Sequence, residues 1–531
     1  MIHEANTWFA ERLSDAGIVT RYLEDHHPTH MPCLELRRLD WTHAAEEARR
    51  HDMRLVALWA AEGGAHDADT LYAYMAFAHP EHRHVLLRTS LDAREPTLPD
   101  ISRHYIAAAR MERAMQSLFG IRVEGLADAR PWIRHEHWPE DAWPMRTAFA
   151  ADARLARGEG TYPFAEARGD GVHEIPVGPV HAGIIEPGHF RFHVVGEEIL
   201  NMEARLGYVH KGIEKRFEGR TAAEGARLAA RISGDSAVAH AWTFAQACET
   251  AAYLEIPPRA TLIRAIACER ERIANHVGDI GAICNDAAFA FMHAQMQRLR
   301  EEMARLHAEV FGHRLLMDVI APGGVMRDIE ENAASRLAAQ TEAIAGEVAR
   351  LREIYADHPS IQERVVGSGP VSREEAADVG LLGYAGRASG LAVDERVEEA
   401  YAPYDRLDVR VPVCEGGDVA ARIEVRFEEI AEATRIIAAL LDALANEKGE
   451  VRVPFSPPEP GTSGFAVIEG WRGEVAGWAR FGAEGRLDRY AVRDPSAINW
   501  LGLELAVRRV PVPDFPLNNK SFNCSYSGHD L

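Results

Sequence analysis

Several residue groups in this 531-residue chain combine types that can move protons, bind a cation or hold a ligand. His210 and Glu214 lie four apart in Gly207-Tyr208-Val209-His210-Lys211-Gly212-Ile213-Glu214-Lys215. On a helix that spacing puts both on one face, where a carboxylate can set the tautomer and basicity of an imidazole and the pair can relay a proton. Off a helix the same two residues form an ordinary surface or core polar contact. Asp235, in Arg231-Ile232-Ser233-Gly234-Asp235-Ser236, places a carboxylate beside two hydroxyls. Those oxygens suit a hard cation such as Mg²⁺, or the carboxylate caps a helix start. The guanidinium in Arg493-Asp494-Pro495-Ser496 can steady developing negative charge in a closed cavity, or is one more ion-paired arginine in an acidic protein. His181, after Gly178-Pro179-Val180, is a structural turn residue or a proton donor.

Sulfur is scarce. Cys33, Cys248, Cys268, Cys284, Cys414 and Cys524 are scattered with no C-x-x-C pair, a pattern expected in a reducing compartment and unable to hold an iron-sulfur cluster alone. A formal net charge of -22 repels phosphate backbones, which excludes the usual nucleic-acid binder. No G-x-G-x-x-G follows a strand pattern, and the nearest candidate, Gly367-Ser368-Gly369-Pro370, continues wrongly for a dinucleotide site. No run approaches the roughly 18 uncharged apolar residues that span a bilayer. The start, Met1-Ile2-His3-Glu4-Ala5-Asn6-Thr7, lacks an export signal, so a cytoplasmic, soluble or peripheral protein is expected.

The elements that must position these groups form an α+β chain. Domains commonly hold about 100 to 200 residues, so two or three are expected here. Residues 1–150 read as a small α+β domain, with strands at Arg54–Trp59 and His84–Arg88 and a helix capped by Asp100 and ended by Gly120. A linker is placed at 151–172, through Gly158-Glu159-Gly160-Thr161. The remainder, 173–531, reads as a hairpin turning at Gly196, a helical bundle from Glu203 to about Arg352, chain reversals to Pro412, a helix from Arg426 to Asn446 and a small sheet over Gly464–Val492.

Arg231-Ile232-Ser233-Gly234-Asp235-Ser236 has the outline of the nickel-iron hydrogenase motif R-x-C-G-x-C with serine at both cysteine positions. With Gly178-Pro179-Val180-His181, the His210-Lys211-Gly212-Ile213-Glu214 segment, Glu271-Arg272-Ile273-Ala274-Asn275-His276 and Ala321-Pro322-Gly323-Gly324-Val325, it resembles the large subunits shared by group 4 nickel-iron hydrogenases and complex I, the proton-pumping NADH-quinone oxidoreductase. Met111-Glu112-Arg113-Ala114-Met115-Gln116-Ser117-Leu118-Phe119-Gly120-Ile121 and Trp138-Pro139-Glu140-Asp141-Ala142-Trp143-Pro144-Met145-Arg146 resemble the small soluble subunit that precedes it. The likeness covers nearly the whole chain, as a fused C/D-type protein of the energy-converting-hydrogenase-related kind.

The resemblance implies an oxidoreductase subunit of a respiratory or energy-converting complex at the inner face of the cell membrane, coupling electron transfer to proton or ion movement. Its partners would be a small iron-sulfur subunit with a [4Fe-4S] cluster, a ferredoxin-like subunit and antiporter-like membrane subunits, with any NAD chemistry elsewhere in the complex. A hydroxyl does not supply the soft anionic sulfur that holds nickel. At the second ligand pair, D-P-C-x-x-C in the family, one register places Cys524 and Ser527 and the other Ser525 and Gly528. At most one thiolate of four survives, so bound nickel is not expected. The likeness further implies that His181 matches a quinone headgroup ligand and that Gly234 replaces the tyrosine of complex I. Glu214 matches the proton-transferring glutamate of hydrogenases, Lys211 stands for an arginine beside the terminal cluster, and Arg493 matches the arginine lining the hydrogenase site. Quinone-binding use of His181 and Glu214, or a scaffold that transmits conformational change, are the alternatives. A cavity lined by His181, Glu214, Asp235 and Arg493 would favour the first, and a cavity packed shut by the C-terminal tail the second.

Overall fold

The computed structural model describes residues 2–23, 33–64, 67–81, 83–135, 138–156, 160–181 and 185–531. Gly158 and Glu159 of the predicted linker lie outside the described residues. The N-terminal part holds a five-stranded sheet in the order Thr20–Tyr22, Cys33–Leu36, Arg83–Asp92, Thr70–His79, Arg54–Glu62. Cys33–Leu36 pairs parallel with Arg83–Asp92, and the other pairs are antiparallel. Its last three strands are buried on both faces, since one face packs against helices and the other against the C-terminal part. That accounts for their nearly continuous apolar runs where a half-exposed sheet would alternate.

Besides Ile2–Asp15 and Trp41–Arg50, this part holds the expected helix at Ala108–Phe119, ended by Gly120 at φ 72°. Asp100 does not cap it: the segment from Ile101 to Ala107 forms turns, and Asp100 Oδ1 accepts from Ser102 N at 2.8 Å. An aspartate can satisfy a nearby amide without a helix following, which the residue pattern alone does not distinguish.

The hairpin predicted around Gly196 is present as His189–Val195 paired with Glu198–Arg205, and Val172–Val177 adds a third strand. Helices Ala237–Ala251, Pro258–Asp286, Ala290–Phe311, Glu331–Ala356 and Val419–Asn446 form the bundle. Pro258–Asp286 is buried almost all round, charged residues included, because Val419–Asn446, Ala290–Phe311 and other elements surround it. The C-terminal sheet is an antiparallel meander of Ser463–Gly470, Gly473–Phe481 and Leu487–Arg493. Trp59 and Tyr74 of the N-terminal sheet stack face to face at 5.3 Å, and Trp478 lies 4.9 Å from Tyr74, so an aromatic seam joins the two sheets. Among the described residues no helix is long and apolar enough to cross a membrane.

Of the two short helices ahead of the motif, Ile213–Phe217 starts without a side-chain cap and Ala222–Ala229 starts on one. Thr221 and Glu224 form a reciprocal capping box at the start of Ala222–Ala229. Thr221→Ala is expected to cost about 1 kcal/mol in urea denaturation, and an unchanged midpoint would remove the cap from the account.

Candidate functional site

The motif Arg231–Ser236 ends in the helix Ala237–Ala251, and residues 524–531 fold back onto it. Ser233 Oγ lies 2.7 Å from Ser525 Oγ and donates to Asp235 Oδ1 at 2.8 Å. Gly528 N donates to Ser525 Oγ at 2.9 Å. Ser525 therefore faces Ser233, and Gly528 N is held on the same hydroxyl, which agrees with the second of the two registers that the sequence left open. Cys524 is instead packed among Phe522, Tyr526, Trp500 and other apolar groups, and burial pushes its thiol up to about 12. A Cβ at Gly528 would come within 2.5 Å of Asp494 Oδ2, so no side chain fits there without movement.

The four positions thus carry three hydroxyls and a glycine, and the hydroxyls are already bonded to one another and to neighbours. This donor set does not fit a nickel ion, which is held by soft thiolate ligands in such a constellation. Asp235 neither caps the helix nor stands open to a cation. Arg472 holds it bidentately, Nη1 to Oδ1 at 2.8 Å and Nη2 to Oδ2 at 2.6 Å. Burial alone would raise the Asp235 carboxyl, but the Arg472 guanidinium outweighs it and holds the group below its usual value. Arg472 also donates to Ser236 Oγ at 3.2 Å and to the Asn523 carbonyl at 2.7 Å, tying the motif to the tail. Ser236 is the N-cap residue of its helix but makes no capping bond; Glu271 from the neighbouring helix accepts from Val238 N at 2.8 Å instead. Gly234 leaves open space where its Cβ would be, with only the Met317 side chain near, at 3.8 Å.

His210 and Glu214 do not share a helix face. The helix is only Ile213–Phe217, because Gly212 at φ 61° turns the chain before it. His210 Nδ1 donates to the Asp530 carbonyl at 2.7 Å, which leaves Nε2 as the basic nitrogen. Glu214 accepts from Arg489 Nη2 at 3.2 Å and from Val492 N at 3.1 Å. Both nonetheless line one cavity of about 110 Å³ between the helix Ala108–Phe119 and the C-terminal residues, walled by Met111, Met115, Leu118 and Phe119. Arg493 lines it too, although its guanidinium is directed to the Val56 carbonyl at 2.8 Å and to Glu474. Gly234, Asp235 and Lys211 are not among the lining residues. Lys211 Nζ donates to the carbonyls of Ile232 at 3.1 Å and Ser527 at 3.3 Å, and burial lowers its ammonium from the usual value. His181 also lies outside the cavity, with Nε2 donating to the Gly188 carbonyl at 2.8 Å. Of the four residues whose common lining would favour a quinone-binding cavity, Glu214 and Arg493 share this one, whereas His181 and Asp235 are held elsewhere by separate partners. His240, on the helix after the motif, is fully buried against Asp494 at 2.9 Å.

The tail closes the site. Lys211 N donates to the Leu531 carbonyl at 2.7 Å, Val209 N to Asp530 Oδ2 at 3.1 Å, and Ser525 N to Ser496 Oγ at 2.8 Å. Arg472 and Asp530 were not singled out from sequence. The available signal for Arg472 was an arginine and a glutamate, Arg472 and Glu474, at the hairpin between two apolar strands. Burial holds the His210 imidazole below its ordinary 6.5. It is expected to stay neutral at pH 7 and to titrate below 6.5 in an NMR series, and a midpoint at or above 6.5 would contradict its enclosure by the tail.

A small α+β part is thus joined to a helical bundle whose motif segment is closed over by the C-terminal tail, a two-part architecture. The family description "Respiratory-chain NADH dehydrogenase, 30 Kd subunit" matches residues 34–154 and "Respiratory-chain NADH dehydrogenase, 49 Kd subunit" residues 286–460. The chain is 31% identical over 457 residues to formate hydrogenlyase subunit 5 of Escherichia coli, covering 84% of this chain and 79% of that protein. It is 30% identical over 412 residues to the C/D subunit of NADH-quinone oxidoreductase from Bacteroides fragilis, covering 73% and 77%. Over 346 residues it is 30% identical to the carbon monoxide-induced hydrogenase of Rhodospirillum rubrum, covering 65% and 95%. A chain of the membrane-bound sulfane sulfur reductase, an archaeal respiratory membrane complex, shares the fold at a TM-score of 0.63 with 24% identity, covering 68% of this chain and 98% of that one. This protein belongs to the family in which 30 Kd-type and 49 Kd-type respiratory subunits are fused, homologous to group 4 hydrogenase subunits.

Proposed function

We propose that this chain is a nickel-free large subunit, fused to its small soluble unit, of a membrane-associated redox complex that couples electron transfer to proton or ion movement. The observation that carries the reading is the 2.7 Å contact between Ser233 and Ser525, hydroxyl against hydroxyl where a metal constellation needs thiolates facing an ion. In this reading electrons reach the protein through a [4Fe-4S] cluster on a neighbouring small subunit, fed by a ferredoxin-like subunit. Antiporter-like membrane subunits take up the output at the cytoplasmic face. The division at 151–172 separates the two ancestral units.

The protein's own part is to hold and move protons. His210, with Nε2 as its basic nitrogen, and Glu214 line one cavity, and His181 stands apart with its Nδ1 as the basic nitrogen. His181→Ala and Glu214→Ala are expected to lower electron transfer by roughly 100-fold if these groups deliver protons to a bound oxidant such as a quinone. Full activity in both variants would reject that role and leave conformational coupling, which the packed tail supports.

Elemental analysis of the purified complex tests the main reading. Substoichiometric nickel, with no turnover of hydrogen, is expected. One nickel per chain would overturn it.

A further inference from the structure

A second buried cluster lies where the N-terminal sheet meets the C-terminal meander, away from the cavity's tail-closed end. Arg54 on the strand Arg54–Glu62 and His84 on Arg83–Asp92 face Glu395, Glu398 and Glu399 around the short helix Glu395–Glu398 and Glu474 on Gly473–Phe481. Arg54 Nη1 lies 2.6 Å from Glu474 Oε1, and its Nη2 lies 3.1 Å from Glu395 Oε1 and 3.6 Å from Glu398 Oε2. His84 bridges outward, with Nε2 3.5 Å from Glu395 Oε1 and Nδ1 3.4 Å from Glu399 Oε1. Arg493 closes the inner side on Glu474. Behind these groups, Asp394 and Glu469 are paired with Arg387.

The charges do not balance with every group ionised. Glu395, Glu398, Glu399 and Glu474 face two guanidiniums and one imidazole, so even with His84 charged one negative charge is left over. Glu395 and Glu474 are each 1% exposed, where an uncompensated charge is expensive. Their Oε2 atoms are both buried without an ordinary hydrogen-bond donor, and the two carboxyl groups are within hydrogen-bonding reach of each other. One hydrogen between them resolves both the orphaned oxygens and the leftover charge, as in other carboxyl pairs that cannot both ionise.

We propose that Glu395 and Glu474 share a single proton, forming a one-proton site at the seam between the two parts of the chain that exchanges with solvent through His84 and Glu399. The partners divide the roles. Burial raises Glu395 and also pushes the part-exposed Glu398 up to about 7, whereas for Glu474 burial is outweighed by Arg54 and Arg493, which hold it down to about 2; of the two facing carboxyls with orphaned oxygens the proton therefore resides on Glu395. His84 would be lowered by burial, but the Glu395 and Glu399 carboxyls beside it hold it well above its ordinary value; with the proton on Glu395, the Glu399 carboxylate 3.4 Å from Nδ1 is the one that keeps it charged between the pair and the surface. Glu399 is the outer end, with its side chain 15% exposed. Because Arg54 and His84 belong to the N-terminal sheet, gain or loss of this proton changes the attraction across the seam.

The proton is visible in the infrared as a carbonyl stretch of a protonated carboxyl group that shifts in D₂O. In the full-length protein at neutral pH, the spectrum of the wild type minus that of Glu395→Gln is expected to show loss of one such band. Glu474→Gln is expected to lose it too, because Glu395 then ionises between Arg54 and the charged His84. Retention of the band in either variant, with circular dichroism showing that it is folded, overturns the pair. His84→Gln keeps the test alive if neither folds: the band should persist while its shift after transfer to D₂O slows severalfold. An unchanged shift rate overturns the exchange route.

Discussion

Replacing Glu429 by alanine is expected to destabilise the fold by about 3–5 kcal/mol, the cost of breaking a buried ion pair and stranding its partners. Glu429 sits on the helix Val419–Asn446, is 1% exposed, and accepts from Arg387 Nη1 at 2.5 Å and from His276 Nε2 at 2.7 Å, with Arg272 Nη1 at 3.5 Å. Burial alone would raise its carboxyl, but Arg387 and His276 outweigh it and hold the group well below the usual range.

The network around it closes to neutrality. Arg272, Arg387 and Arg396 face Glu269, Asp394 and Glu429, while burial, with Asp394 beside it, pushes Glu469 up to about 8 so that it carries its proton at pH 7. Burial likewise holds His276 below 6.5, hence neutral. Removing Glu429 leaves one net positive charge in the dry interior and strands the His276 Nε2 hydrogen, whose ring already has an unpartnered Nδ1. Urea denaturation at pH 7 measures the loss. Because the carboxyl is depressed, its contribution is present above the ordinary 4.5 and fades in acid, so the difference between wild type and variant should shrink as pH falls below that value. A loss under about 1 kcal/mol at pH 7 would mean that water or rearrangement compensates the stranded charges, and the network would not be dry.

How far the chain could be read in advance follows from how local each interaction is. The strands Arg54–Glu62 and Arg83–Asp92, the hairpin about Gly196 and the long helices are written in runs of neighbouring residues, and periodicity found them. The meeting of Arg231–Ser236 with the C-terminal tail was legible through family motifs in register. Asp235 was misread because its partner, Arg472, is 237 positions away and reaches it only once the meander has formed. The His210–Glu214 spacing failed for a nearer reason: Gly212 at φ 61° turns the chain between them, and spacing cannot tell a turn from a helix. The tail register stayed open because the run from Ser521 to Gly528 offers two frames of equal spacing, and only packing against Ser233 and Asp494 distinguishes them. The charged cluster at Arg54 and His84 escaped because its members come from five segments far apart in sequence.

Glu112 shows how a motif residue acquires a physical purpose once it is placed, and it carries the second large expectation. It lies on Ala108–Phe119 with no exposed surface; Oε1 accepts from Ile101 N at 2.9 Å, and Oε2 has no ordinary donor. Burial, aided by the neighbouring Asp100 carboxyl, pushes the acid up to about 9, so Oε2 keeps its hydrogen at neutral pH and donates it toward Asp100. The sign of the linkage follows. A carboxyl raised in the folded state contributes stability that is fully present below the unfolded value of 4.5 and is lost as pH rises to about 9. At about 1.4 kcal/mol per pH unit, that interval corresponds to a loss on the order of 6 kcal/mol. Glu112→Gln keeps an acceptor for Ile101 N and a donor toward Asp100 but cannot ionise. Urea midpoints measured at about pH 5, 7 and 9 are therefore expected to fall for the wild type and to hold steadier for the variant, which becomes the more stable of the two at the alkaline end. Parallel curves would show that Glu112 is already ionised in the fold, and would require another donor for its buried oxygen.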